Sequence, residues 1–147
     1  MIIREERIGN QRLILGDCRE VLRELHPVDH IITDPPFSLR THAGHDGTSG
    51  RATRDGVARK QLGYAGLTDE EAVAMAALFC ERSLGWVLWF TDHTLAPVVH
   101  RTMGDSGRAT FPPLPFFHPG RSCRLTGDGP SSWTDWIVAS RTKALKK

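Results

Sequence analysis

The sequence predicts an α/β fold: a doubly wound sheet with an antiparallel pair of strands at one edge near the C-terminus. Three observations predict it. Short apolar runs of strand length alternate with segments of helical period along most of the chain. One run, Gly85 to Phe90 (GWVLWF), is continuously apolar, as in a central strand covered on both faces. The last two strand-like stretches follow one another with no helix between them, which suits the edge pair. At 147 residues the chain fits a single domain with room for a sizeable core.

The elements follow in order. Arg12 to Asp17 (RLILGD) reads as a short buried strand closed by a Gly-Asp turn. Cys18 to Leu25 sets Val21, Leu22 and Leu25 at helical spacing. Val28 to Thr33 (VDHIIT) is the second strand. Ser38 to Gly66 is rich in Gly, Ser, Thr, Arg and His without periodicity, and reads as a long loop of the kind compact domains keep for function. Thr68 then stands as a helix N-cap with Glu71 three residues on, a capping box. The helix it opens should bury Val73, Ala76, Ala77, Cys80 and Leu84. After GWVLWF a second helix begins near Thr94, with Pro97 in its first turn. Arg108 to Gly120 carries four prolines and is an edge strand or irregular segment; Ser131 to Ser140 gives the last strand.

Charge is nearly balanced, at +2, but uneven. Arg40, Arg51, Arg54, Arg59 and Lys60 crowd the 38–66 loop against only Asp46 and Asp55, a basic loop suited to a polyanion or, equally, to a solvated linker. No apolar stretch is long enough to cross a bilayer and no basic-apolar-small pattern opens the chain, so cytoplasmic residence with no membrane partner is expected. Cys18, Cys80 and Cys123 are odd in number and far apart, which indicates neither a disulfide framework nor a zinc cluster, and Cys80 reads as helix core. His42 and His45 have a metal-like spacing but lack two further ligands, so no metal is expected. Trp86 and Trp89 read as core.

The stretch with most chemistry is Asp29 to Phe37, DHIITDPPF. Pro35 and Pro36 fix φ and lack N–H groups, and Asp34 is pushed toward an extended shape because a proline follows it. The strand must stop there, leaving a carboxylate, a rigid elbow and a ring at the C-terminal edge, where open α/β sheets bind ligands. A Pro-Pro turn beside a surface acid has the same local pattern.

LILGDCREVLRELHPVDHIITDPPF closely resembles the start of the amino-methylating DNA methyltransferases, in the permuted group whose catalytic motif precedes its cofactor motif. GWVLWFTD looks like that family's strand after the catalytic helix, and LTGDGPSSWTDWIVASR is similar to a segment of its phage-type members. The resemblance implies a Rossmann-like methyltransferase sheet, S-adenosylmethionine as cofactor and double-stranded DNA as partner. It makes Asp34, Pro35, Pro36 and Phe37 the catalytic motif. In that role Asp34 and the Pro35 carbonyl accept the two N–H bonds of an exocyclic amino group, adenine favoured over cytosine. Phe37 stacks on the flipped base. Asp17 and Asp34 would touch the cofactor, Asp17 near its adenosine, although Asp17 reads as well as an N-cap for the helix from Cys18. The five basic loop residues would contact DNA.

The chain departs from the family in two respects: the family's usual Trp-x-Lys before TGDGP is replaced by PFFHPGRS (Pro115 to Ser122), and the cofactor turn is lacking. It has no Asp-Pro-Phe-x-Gly-Ser-Gly turn, the segment that cradles the cofactor, and TGDGP (Thr126 to Pro130) has neither the lysine nor the helix of a phosphate loop. The 1–147 domain therefore reads as a partial catalytic domain, its sheet incomplete. A homodimer or a second chain is expected to cover the edge and supply the cofactor half. The alternative is a catalytically silent nucleic-acid-binding or interaction module that keeps the fold.

Overall fold

The computed structural model describes residues 2–46, 62–116 and 135–143, without the side chains of 44–46. In chain order these form β1 (Ile2–Ile8), β2 (Gln11–Gly16), α1 (Cys18–Glu24), β3 (Ile31–Thr33), α2 (Leu39–Asp46) and α3 (Asp69–Arg82). They continue as β4 (Trp86–Asp92), α4 (Ala96–Asp105), β5 (Ala109–Thr110), β6 (Leu114–Pro115) and β7 (Asp135–Arg141). The architecture is mixed α/β, with one mixed five-stranded sheet and a separate two-stranded hairpin.

The hairpin corrects the reading of RLILGD as a buried strand. β2 pairs antiparallel with β1, outside the main sheet, and Leu13 and Leu15 are 50% and 59% exposed. The physical reason is local. Gly9, at φ +59°, takes the first position of a two-residue turn that suits a hairpin. Arg12 then reaches back across the strands to both carboxylate oxygens of Glu5, at 2.7 and 2.8 Å. The apolar run was legible; the charged strand it pairs with was not.

In the main sheet β3 runs parallel to β4, β4 antiparallel to β7, and β7 antiparallel to the short β5 and β6, in the order β3-β4-β7-β5 with β6 also on β7. The antiparallel edge expected from sequence is thus present, built from the proline-rich segment. β4 and β7 are the two long central strands, and β3 is a three-residue strand at the edge. α1 packs on α3, α3 on α4, and α4 on β7 and β5. The core lies along that face, where Ile31, Val87, Trp89 and Val138 meet Met75, Phe79, Val99 and Met103.

Trp86, Leu88 and Phe90 alternate with Val87 and Trp89 and so face the other way; they are only half-buried. On that side Trp86 stacks on Phe111, and Phe90 meets Phe116 edge-on. Coverage of β4 on both faces is therefore not what the described residues display. Trp89 is fully buried core, as read, and Trp86 half-buried.

α3 begins with the expected capping box, Thr68 accepting from the Glu71 N–H while Glu71 reaches back to the Thr68 N–H. Its buried stripe differs from the expected one: Ala72, Met75, Ala76, Leu78, Phe79 and Cys80 are buried, while Val73, Ala77 and Leu84 are exposed. The helix is turned by about one residue because α4 and the sheet, not the helix alone, select its inner face. At its C-terminus lies the buried Arg108, which donates to the carbonyls of Cys80 and Ser83, each at 3.1 Å, to the Gly85 carbonyl and to Ser140 Oγ. A guanidinium there satisfies carbonyls that the helix leaves open.

Candidate active site

The site is built at the C-terminal ends of β3 and β4. Past Thr33 the Asp34–Phe37 elbow leaves the edge strand with Asp34 exposed, Pro35 buried, and Pro36 and Phe37 half-buried. The elbow then turns across the end of β4, because Ser38 lands on the carboxylate of Asp92, the last residue of that strand. Asp92 is fully buried. Its Oδ2 accepts from the Ser38 N–H at 2.9 Å, from Ser38 Oγ at 2.5 Å and from Thr41 Oγ1 at 2.6 Å. Its Oδ1 accepts from the Thr94 and Leu95 N–H groups at 2.9 and 3.0 Å, closing the turn into α4.

The other side of the elbow is held by main chain. The Leu67 N–H donates to the Phe37 carbonyl at 2.8 Å, and the Leu39 N–H to the Leu67 carbonyl at 3.3 Å. This close pairing needs Gly66: a Cβ there would lie 2.9 Å from three backbone atoms of Phe37, Ser38 and Leu39. Segments 28 residues apart in sequence (38 to 66) thus meet at one neck. Between them α2 occupies Leu39–Asp46, so the start of the expected 38–66 loop is helical, capped where the Thr41 N–H meets Ser38 Oγ at 3.3 Å.

The electrostatics separate the two strand-ending acids. Partial shielding of its carboxyl from water, although the residue as a whole is exposed, and then the neighbouring Asp135 at the start of β7 push Asp34 above its ordinary range. Burial pushes Asp92 the same way, but the Ser38 and Thr41 hydroxyls and the Leu95 and Ser38 N–H groups outweigh it and hold that carboxyl below the ordinary range. Among the described residues Asp34 is therefore the acid left open to a new donor, and Asp92 is already saturated.

Asp34, Pro35, Pro36 and Phe37 are consecutive and lie together just past the end of β3. Asp17 does not join them by any contact among the described residues. It is the N-cap of α1, accepting from the Arg19 N–H at 2.9 Å, and its side chain pairs with the Arg19 guanidinium, which holds its pKa down at about 2. Of the basic residues expected to face DNA, Arg40 lies exposed on α2; Arg51, Arg54, Arg59 and Lys60 lie outside the described residues, as do Cys123 and TGDGP. The His42 ring is buried and packs edge-on against Tyr64. Sequence reading missed Asp92, Asp135 and Gly66. A signal for Asp92 was present: β4 ends in Thr-Asp, the same pair that Thr33 and Asp34 make at the end of β3 and just past it.

Among the described residues the glycines with positive φ are Gly9 and Gly107, and neither has any atom within 4 Å of the place its Cβ would take, so neither marks a close backbone cradle for S-adenosylmethionine. Asp17 is engaged by its own helix and Arg19.

No family model matches the chain, and no curated protein does. One solved structure to which it is similar is a chain from Thermus thermophilus, named provisionally as a DNA modification methylase. It is 13% identical, with a TM-score of 0.49 over 86% of this chain and 50% of that one, so this chain spans half of that protein's length.

Proposed function

We propose that the chain is the base-holding part of a DNA amino-methyltransferase. The observation that carries the reading is the state of Asp34: an exposed carboxylate, raised above its ordinary pKa range, on an elbow anchored at its far end by a buried acid. An exocyclic amino nitrogen on adenine or cytosine delocalises its lone pair into the ring and is a poor nucleophile. A carboxylate accepting one N–H and a carbonyl accepting the other draw it toward tetrahedral geometry and localise that pair. Asp34 supplies the first acceptor and Pro35 the second, held in place beforehand as electrostatic catalysis requires. The Phe37 ring stacks on the base, which must leave the duplex to reach this edge; such stacking contributes ~1–3 kcal/mol. Adenine is the favoured base, by resemblance.

Arg40 contacts phosphate beside the elbow, and the basic residues at 51–60 extend that contact. The methyl donor is S-adenosylmethionine, by resemblance, with a second copy or another chain as the proposed source of the rest of its pocket. The outer edge of β3 supports this: among the described strands β3 pairs only with β4, and Ile32 is 71% exposed. A cytoplasmic setting fits DNA as substrate, and no described helix is long and apolar enough to cross a membrane. A second reading, a nucleic-acid-binding module without catalysis, is favoured by the lack of a glycine cradle among the described residues.

The test is transfer of labelled methyl groups to unmethylated DNA by the purified chain, alone and with the products of adjoining genes. Asp34→Ala should fold normally and lower incorporation on the order of 100-fold or more. Incorporation equal to that of the wild type would remove Asp34 from the reaction. Calorimetric titration of S-adenosylmethionine separates the readings: no binding under any pairing favours the silent module.

A further inference from the structure

Asp34 and Phe37 sit on the weakest part of the sheet. β3 has three residues and, among the described strands, one neighbour, so the strand alone holds the elbow loosely. β4 is different: it is seven residues long and bonded on both sides. Asp92, at its end, divides its carboxylate between two tasks. Oδ1 is taken by the turn of its own chain, and Oδ2 by Ser38 and Thr41, immediately beyond the elbow. Between Asp34 and Ser38 stand two prolines with fixed φ, which carry an anchor at one end to the other.

We propose that Asp92 is a positioning residue for the candidate site, fixing the Asp34–Phe37 elbow to the central strand through Ser38 and Thr41. The inference deepens the methyltransferase reading and rests on its choice of Asp34 as the working acid. Asp92 itself is out of reach of substrate, being fully buried and bonded on both oxygens. What it sets is how closely Asp34 is held against the protein and against Asp135, the two influences that raise the Asp34 carboxyl.

The experiment reads Asp34 directly, by carbon-detected NMR titration of its carboxyl in the full chain, with methyl transfer measured alongside. Asp92→Asn tests the whole anchor and is replaced, where folding fails, by Ser38→Ala with Thr41→Val, which removes the two hydroxyl donors and leaves Asp92 bonded to its own turn and to the Ser38 N–H. In folded variants the Asp34 midpoint should fall back toward the ordinary aspartate value. Methyl transfer should fall by about 100-fold, the usual effect of misplacing a reacting group by an ångström, with DNA affinity retained. An unmoved Asp34 midpoint in folded Asp92→Asn would overturn the proposal, and an unmoved midpoint in the folded double variant would overturn anchoring through the Ser38 and Thr41 hydroxyls. A midpoint that moves while even the wild type transfers no methyl groups upholds the anchor and counts against the enzyme.

Discussion

β3 and β4 lie side by side and run in the same direction, and the same dipeptide stands at their C-terminal ends: Thr33-Asp34, with Asp34 just past β3, and Thr91-Asp92, within β4. Their acids meet opposite fates. Asp92 is followed by His93, Thr94 and Leu95, and the second and third of these turn N–H groups back onto it. Asp34 is followed by Pro35 and Pro36, which have no N–H to give. The chain therefore satisfies one acid and withholds that satisfaction from the other. Asp17, at the end of β2, behaves like Asp92 in this respect, capped by the N–H two residues on. The difference teaches that the tandem prolines do more than stop a strand: they keep a carboxylate from closing on its own backbone, so its hydrogen-bonding capacity remains for something else.

The largest expected effect breaks the satisfied side of the comparison. Asp92→Ala leaves the donors of Ser38, Thr41, Thr94 and Leu95 without their acceptor in a buried place, and should lower stability by about 3 kcal/mol in urea unfolding. Acid does the same reversibly. Because the folded carboxyl lies below its unfolded value, its stabilisation is complete above the unfolded pKa of about 3.9. It is lost as pH falls through the folded value. Wild type should lose stability over that range, and the alanine variant should lose less. Equal acid sensitivity in the two proteins would show that Asp92 is not the group that titrates.

How much of this was legible follows the range of the interactions. The Thr68–Glu71 capping box and the Asp34–Phe37 elbow were readable because each is made within a few residues. The helical character of Leu39–Asp46 was not, since its polar residues show no period and its first turn is organised by Ser38 and by Asp92 from far along the chain. The inner face of α3 was misjudged for a similar reason: Phe79 and Met75 point inward because Trp89, Val99 and Met103 wait there. Arg108 gave no signal, as nothing near it in sequence marks an arginine that will reach the carbonyls of Cys80, Ser83 and Gly85.

A smaller effect belongs to the second self-capped acid. Asp17→Ala removes an N-cap from α1 and should lower stability by about 1 kcal/mol, the usual worth of such a cap. The exposed pair with Arg19 adds little, because water and salt screen it. Thermal unfolding at low and high salt checks this: the loss should be nearly the same at both. A loss that disappears in high salt would assign Asp17 to the ion pair instead of the cap.

The smallest change in stability, and the sharpest test of the comparison, is Pro36→Ala. Alanine restores an N–H two residues after Asp34, at the spacing from which Thr94 donates to Asp92 and Arg19 to Asp17. Loosening the unfolded chain should destabilise by about 0.5 kcal/mol, and Pro35 with the Ser38 anchor keeps the elbow in place. The new N–H has an exposed carboxylate within its natural reach, and a hydrogen bond to the charged form favours that form. The Asp34 midpoint should move down from its raised position, seen by the same NMR titration. If Asp34 works by accepting a hydrogen bond from a base, a competing donor should also weaken its action while leaving DNA affinity unchanged. A midpoint that stays where it is in a folded Pro36→Ala variant would mean that the elbow's shape, and not the missing N–H, keeps Asp34 open.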